Sequence, residues 1–493
     1  MRLGHGRLIT WVVAVTVVFC TPQTSMAEAL VLRCFDSTAT IVGTPGDDVL
    51  TGTAGVDVFV SLGGRDRITG LGGNDRICGG ADDDVLIGGP GKDLMNGGEG
   101  SDVLRGGNGA DKLLLGPNPT LYPPDGDPYG RESGDGGPGN DVVLGSTGLD
   151  QLDGGSGNDR LDGGSGNDDL SGGAGDDIGY GGTGNDWWGG SQNRRSDVDR
   201  FYGGSGSDGS RGGDRGRLRL YGGMGDDRLD GGNGNDLLDG GSGNDTLEGF
   251  RGSDALRGRA GRDTISFAGR FSEAQGSSSG NVSRMRVDLQ RGRARGLGND
   301  RLDGVEAVIP GGNSDVLLGS RRSETFYLSA ESGGHDVING RGGRDTIGPE
   351  PDLTYCCPMM RVDLSKRSAW FGYAGWPVRA DSINRITSIE VVIGTYQNDV
   401  LLGDRWNNMI DGRDGDDVIN GRAGRDQLVG GNGNDRLAGG SGRDDLRGGW
   451  GADRLDGGSE RNRNDGGPGP DQCRNPSQGA GTRSCEAPVA DIR

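Results

Sequence analysis

Apolar residues supply only 31% of this 493-residue chain and aromatic residues 5%. Ordering a backbone costs about 1–2 kcal/mol per residue, and so small an apolar share cannot offset it through burial alone. A row of ordinary packed domains is therefore excluded, although the length alone would allow about three. Histidine is nearly missing, with two in all. No H-E-x-x-H is present, which removes a zinc protease of that type. The glycine-serine turns read GGSG, not the G-x-S-x-G elbow of a serine hydrolase, and His335 lies in a turn (SGGHDVIN). No G-x-x-x-x-G-K-[ST] loop occurs. Positive charge is also scarce: 52 basic residues face 73 acidic ones, a net charge of −21. No nucleic-acid partner is expected at that balance. Beyond the first residues no apolar run approaches the ~20 positions of a bilayer span, so no stable membrane span is expected.

What the chain does have is glycine, 106 of them. They do not recur every third residue, which excludes collagen. Residues 1–27 read as a secretory signal peptide: Arg2 and Arg7 precede an apolar stretch from Leu8 to Phe19, and Ser25-Met26-Ala27 is a small-x-small cleavage site. Removal of that leader takes Cys20 and leaves Cys34, Cys78, Cys356, Cys357, Cys473 and Cys485. An even number in an exported chain points to disulfide bonds. Cys34 with Cys78 can pin the N-terminal segment, and Cys473 with Cys485 can staple the tail.

From Gly43 the sequence divides into nines: GTPGDDVLT, GTAGVDVFV, SLGGRDRIT, GLGGNDRIC, and four more. The sixth place is Asp in all eight units, and the eighth is apolar in all eight. This first block belongs to 28–114. A proline-rich insert follows over 115–135, and a second block spans 136–266, with Asp199 and a degenerate unit in which Arg217 stands where Asp is due. Residues 267–398 hold an imperfect duplication: Arg286-Val-Asp-Leu289 recurs as Arg361-Val-Asp-Leu364, and the Glu306/Asp315 pair as Glu390/Asp399. That region reads as coils with longer strands and inserted loops. A last block covers 399–474, with Asp399, Asn408, Asn462 and Asp471 also in sixth place, and 475–493 is a tail.

Each unit joins a glycine-rich turn to a three-residue strand whose side chains alternate in and out. Two units make one 18-residue coil, and coils stack about 4.8 Å apart. Position eight then builds two apolar ladders across a thin interior. The same stacking sets Asp above Asp on both sides, and like charges at that spacing repel unless a cation lies between them. Carboxylate and carbonyl oxygens at flexible spacing suit Ca2+ better than Mg2+, and zinc would want His or Cys. A site with Kd near ~0.1 mM would add about 1.4 kcal/mol at ~1 mM calcium.

Units such as GGSGNDRLD (Gly154–Asp162) and GGNGNDLLD (Gly231–Asp239) resemble the G-G-x-G-x-D-x-U-x repeat of the RTX, or hemolysin-type, calcium-binding family. The resemblance covers most of the chain from Gly43 to Arg474. It implies an all-β fold, a right-handed parallel β-roll in several blocks with inserted loops. It also implies multiple Ca2+ ions held between turns by sixth-place carboxylates and by carbonyls of the glycine-rich half. The carboxylates of the first block are then Asp48, Asp57, Asp66, Asp75, Asp84, Asp93, Asp102 and Asp111. In the second block they are Asp141, Asp150, Asp159, Asp168, Asp177, Asp186, Asp208, Asp227, Asp236, Asp245, Asp254 and Asp263. Asp336 and Asp345 serve the duplicated segment, and Asp417, Asp426, Asp435, Asp444 and Asp453 the last block.

Catalysis has little to work with, because nearly every acidic residue falls into the repeat and no stretch of 100 residues lies outside it. The expectation is a secreted, non-enzymatic, calcium-binding repeat protein with a structural or interaction role. The alternative is a calcium-dependent adhesin or binder of cell-surface or extracellular polysaccharide. It would use the inserts, the proline-tyrosine loop Leu115–Ser133 and the aromatic run Trp370, Phe371, Tyr373 and Trp376, while the basic cluster Arg284, Arg286, Arg291, Arg293 and Arg295 could meet an anionic polymer. A carboxylate-based enzyme acting on an extracellular polymer stands behind both.

Overall fold

In a computed structural model the protein is a parallel β-solenoid of about 21 turns. The structure describes residues 32–117, 131–189, 197–212, 216–268, 284–328, 335–351, 358–373, 383–474, 482–483 and 485–486. The parallel β-roll expected from the nine-residue repeat is the fold the chain adopts. Among the described residues there is no α-helix, and no helix long and apolar enough to cross a membrane.

Successive units alternate between two long ladders. The first runs from Val49–Thr51 through Arg67–Thr69 and Val85–Ile87 to Thr482–Arg483; the second runs from Ile41–Val42 through Val58–Val60 and Arg76–Ala81 to Cys485–Glu486. Pairing is parallel and in register at 18 residues, as in Leu50↔Ile68↔Leu86 and Phe59↔Ile77↔Met95. At the two ends of the first ladder, Val49–Thr51 pairs with Arg67–Thr69 alone and Thr482–Arg483 with Arg463–Asp465 alone among the described residues. The ladders are thus open stacks rather than closed cylinders. Position-eight side chains of both meet in one continuous core from Phe59 to Cys473.

The blocks read from the sequence join without a break. Arg131–Asp135, at the end of the proline-rich insert, is a strand of the first ladder between Val103–Arg105 and Leu149–Asp153. Residues 118–130 lie outside the described set.

The duplicated segment contains two departures of one design. In the second ladder Ala255–Ala260 pairs with Asn299–Asp303, which runs antiparallel to Arg293–Arg295, itself antiparallel to Arg286–Asp288, which then pairs in parallel with Val316–Leu318. The second copy repeats this order through Val337–Asn339, Ile383–Thr387, Ser368–Tyr373, Pro358–Asp363 and Val400–Leu402. In each case the chain doubles back before resuming its climb. What the sequence offered as longer strands is therefore a pair of antiparallel excursions.

Cys34 bonds to Cys78 and Cys473 to Cys485. The first bond holds the hairpin of Arg33–Cys34 and Ser37–Thr38 over the outer face of Val58–Val60, so Val58 and Val60 are buried as well as Phe59. Cys356 and Cys357 lie outside the described residues.

Candidate metal centres

Each turn delivers its sixth residue to the edge of the interior just before the strand begins. The result is two columns of carboxylates. One follows the first ladder: Asp48, Asp66, Asp84, Asp102, Asp150, Asp168, Asp186, Asp208, Asp227, Asp245, Asp263, Asp345, Asp426 and Asp444. The other follows the second: Asp57, Asp75, Asp93, Asp111, Asp141, Asp159, Asp177, Asp236, Asp254, Asp336, Asp417, Asp435 and Asp453. All are buried except Asp48, which is half-buried.

Their first oxygen has a fixed task. The backbone N–H of Asp66 donates to Oδ1 of Asp84 at 2.8 Å, that of Asp75 to Asp93 at 2.8 Å, and that of Asp435 to Asp453 at 2.8 Å. One carboxylate thus receives the amide of the one before it in its column, coil after coil. The second oxygen is different. In all of these aspartates but Asp48, Asp57, Asp150 and Asp336, Oδ2 is buried without a hydrogen-bond partner. A native interior rarely leaves such an atom unpaired, so the recurrence calls for a ligand.

The space around Oδ2 shows what kind. A Cβ placed on Gly136 would sit 2.7 Å from Oδ2 of Asp141 and 2.7 Å from the carbonyl oxygen of Gly154 in the next coil. Glycine at the first place therefore leaves open a cradle into which a carboxylate and a carbonyl of successive coils converge. Asn462 identifies the same cradle chemically. Its amide Nδ2 donates to the carbonyls of Gly457 and Ser459, the first and third residues of its own turn. Where Asp stands instead, oxygen faces oxygen, and only a positive charge can satisfy both. Among the described residues no three His, Cys, Asp or Glu side chains form a cluster. The donors are one carboxylate with several carbonyls, an all-oxygen set that fits a calcium-sized hard cation.

Electrostatics point the same way. Burial first, and the neighbouring carboxylates Asp102 and Asp66 after it, push Asp84 up to about 8 against the opposing pull of an Asp66 N–H. Asp177 and Asp417 are likewise raised to about 8, chiefly by burial. A folded-state value above the ordinary one favours the fold at acid pH, and that contribution disappears as pH rises through the folded value. In solution freed of divalent cations, β-structure measured by circular dichroism should therefore fall as pH is raised from about 4 to about 8 and return on reacidification. A metal-free chain indifferent to pH over that window would show that the carboxylate columns do not oppose folding.

The sequence missed several members of the columns. Glu132, Asp300, Asp315 and Glu324 are buried in equivalent places, and Asp254, Glu324 and Asp263 donate their N–H groups to Asp300, Asp345 and Glu306. Glu306, Asp315 and Glu324 keep the nine-residue spacing, so a search admitting Glu would have found them. Arg217 does not occupy the degenerate sixth place. Leu218 does: it pairs with Asp199 and donates its N–H to Oδ1 of Asp236 at 2.9 Å. The inserted residue lies before this position rather than after it.

The sequence profile of the RTX calcium-binding nonapeptide repeat (4 copies) matches residues 36–68, 51–86, 87–117, 135–170, 153–187, 219–238, 230–265, 332–347, 393–428 and 429–463. A search of curated proteins finds no match. The profile covers more than half of the chain, and its repeat units are those whose turns build the two carboxylate columns. The chain belongs to the RTX, hemolysin-type calcium-binding nonapeptide-repeat family.

Proposed function

We propose that this is an exported scaffold whose turns take up many calcium ions, and that those ions drive the stacking of its coils. The observation that carries the reading is the column of buried, unpartnered Oδ2 atoms facing main-chain carbonyls. The aspartates named above with an unpartnered Oδ2 are the ligands, with carbonyls of the glycine-rich half beside them. Bound calcium supplies positive charge between like charges; Asp and glycine in turn supply its oxygen cage. The two disulfides suit an oxidising compartment outside the cytosol, in keeping with the leader sequence. A structural rather than catalytic role follows from the carboxylates being committed to the repeat.

The test is a calcium titration of the purified chain followed by far-ultraviolet circular dichroism, with magnesium as control. Chelator-treated protein should lack most of the β-signal, millimolar calcium should restore it, and magnesium should not. A β-signal of full size in chelator would overturn the reading.

The polysaccharide-binding alternative gains no support from the part of its aromatic run that is described. Trp370 and Phe371 are buried against the core at 5% and 8% exposure, and Trp376 lies outside the described residues. Its remaining support is the first excursion, where Arg286 stands directly opposite Arg295 and Arg293 opposite Arg301. Like charges paired across antiparallel strands are unfavourable without a counter-ion, which favours an acidic polymer over a neutral one.

A further inference from the structure

The turns of this solenoid are of two kinds, and the difference lies at their second residue. In the turns with an unpartnered Oδ2, that residue has a left-handed φ, as at Gly80 (120°), Gly89 (111°) and Gly155 (96°). Leu62 (87°), Leu71 (78°), Arg341 (68°), Arg413 (73°) and Arg422 (69°) take the same conformation without glycine, against their own preference. The second N–H then turns away from the carboxylate: Gly89 donates to the carbonyl of Gly106 at 2.9 Å and Gly107 to that of Gly136 at 3.0 Å, whereas Gly155, Arg341, Arg413 and Arg422 donate to the side chains of Asp153, Asn339, Asp411 and Asn420. In these turns no second-residue N–H reaches Oδ2.

Among the described residues seven turns do the opposite. Thr44 donates its N–H to Oδ2 of Asp48 at 2.5 Å, Thr53 to Asp57 at 2.6 Å, and Ser146 to Asp150 at 2.8 Å. Gly311 does so to Asp315 at 3.0 Å, Ser320 to Glu324 at 3.1 Å, Thr395 to Asp399 at 2.6 Å, and Asp404 to Asn408 at 2.9 Å. The hydroxyls of Thr53 and Thr395 add a second donor. None of these second residues has a left-handed φ. Such a turn closes on itself and gives the sixth-place oxygen a donor where an ion would otherwise sit, although Oδ1 of Asp150 stays buried without a partner.

Four of the seven cluster between Gly311 and Asn408, across the duplicated segment and the start of the last block, and two arginines add their own positive charge there. Arg341 grips Asp288 through two nitrogens and donates to the carbonyl of Gly319, the first residue of a self-closed turn, at 2.9 Å. Arg422 does the same for Asp363 and the carbonyl of Gly403, also at 2.9 Å. In each case a guanidinium satisfies the first-residue carbonyl. The interior here is also heavier, with Phe326, Leu328, Met360, Trp370 and Phe371 all buried.

We propose that the described residues of 284–411 form a nucleus largely independent of calcium, onto which assemble calcium-dependent arms made of the described residues of 61–268 and 412–471. In the nucleus Asp345 is the one column place with an unpartnered Oδ2; elsewhere hydroxyls, backbone N–H groups, Arg341 and, reaching back from the next coil, Arg422 stand in place of ions. The proposal rests on the calcium reading of the arms. It assigns the metal ions to one kind of turn and gives the chain a seed that persists where calcium is scarce.

Hydrogen exchange of the full chain, read by mass spectrometry in chelator and in calcium, tests it. In chelator, Val316–Leu318, Thr325–Leu328 and Val400–Leu402 should exchange at least about 100-fold more slowly than Arg160–Ser165 or Gln427–Asn432, and calcium should bring the arms level. Equal, fast exchange of centre and arms in chelator, with calcium protecting both, would overturn the nucleus while leaving the calcium reading intact. Slow exchange everywhere in chelator would overturn both. Arg341→Gln with Arg422→Gln should remove the central protection in chelator yet leave the calcium-induced protection of the arms. By equilibrium dialysis, Asp84→Asn should lower the number of bound ions and Asp399→Asn should not. A loss of ions on Asp399→Asn would contradict the division of turns.

Discussion

Gly157→Ala should collapse the coils around it, whereas Gly46→Ala should be almost silent, although both residues hold the fourth place of their turns. Gly157 has φ of 136°, and a Cβ there would fall on the carbonyl oxygen of Gly139, with Asn140 Oδ1 only 2.9 Å away. The first contact cannot yield, because Gly139 is itself backbone of the coil beneath. A left-handed φ costs a side chain about 1–2 kcal/mol before any clash. Moving one coil away from the next also forfeits the ladder bonds and the adjoining cation cradle, so a total of at least ~4 kcal/mol is expected. Gly46 lies in the first coil, in a self-closed turn, and its Cβ would meet nothing within 4 Å. Urea titration of the calcium-loaded variants, with calcium binding measured in parallel, should show a much lower midpoint and fewer ions for Gly157→Ala. Equal behaviour of the two would mean that coils can stack with more room than this geometry allows.

The same contrast shows how far the sequence could be read. Position six and position eight are legible because their demands recur: each nine-residue unit brings one side chain to a column and one to the core, with Leu218 and Gly179 among the exceptions. A column place tolerates any oxygen-bearing side chain, however, and so Glu132 and Glu324 pass unnoticed when only Asp is sought, and Glu306 is seen only as part of the duplication. The excursions were visible as a duplication, Arg286-Val-Asp-Leu289 and Arg361-Val-Asp-Leu364. Their reversal was not, because alternation along a strand is the same whether its neighbour runs parallel or antiparallel. The cue was local: Gly292, at φ of 60°, ends a short 3-10 turn from Leu289 to Arg291 and sends the chain back. The two kinds of turn could likewise have been told apart by Thr or Ser at the second place, as in GTAGVD and GTYQND. Gly311 shows the limit of that rule, since a glycine there also closes its turn.

Restoring the repeat consensus at Gly179 should weaken the protein. The eighth place of that unit ought to be apolar, and Gly179 looks like a defect to be filled. It lies in the second ladder between Leu161 and Phe201, while Trp188 stands in the first ladder between Leu170 and Ser210. Trp188 is wholly buried, stacks on Phe201 with ring centres 5.5 Å apart, and extends into the place a larger residue at 179 would take. A Cβ on Gly179 would come within 2.7 Å of its Cε3. Large and small are thus exchanged across the core so that the total volume is kept. Gly179→Leu should cost about 1–3 kcal/mol by overpacking. Trp188→Leu should cost about 2–4 kcal/mol through the cavity it leaves. The double variant should recover most of both losses, with a coupling of about 1–3 kcal/mol, because two leucines rebuild the pairing of Leu161 with Leu170 in the adjoining coil. Native-state hydrogen exchange of Arg160–Ser165 and Val198–Ser205 in calcium reads the local opening energy for each variant. Additive losses in the double variant would show that Trp188 and Gly179 are independent accidents of the sequence and that the thin core does not balance its volume across the two ladders.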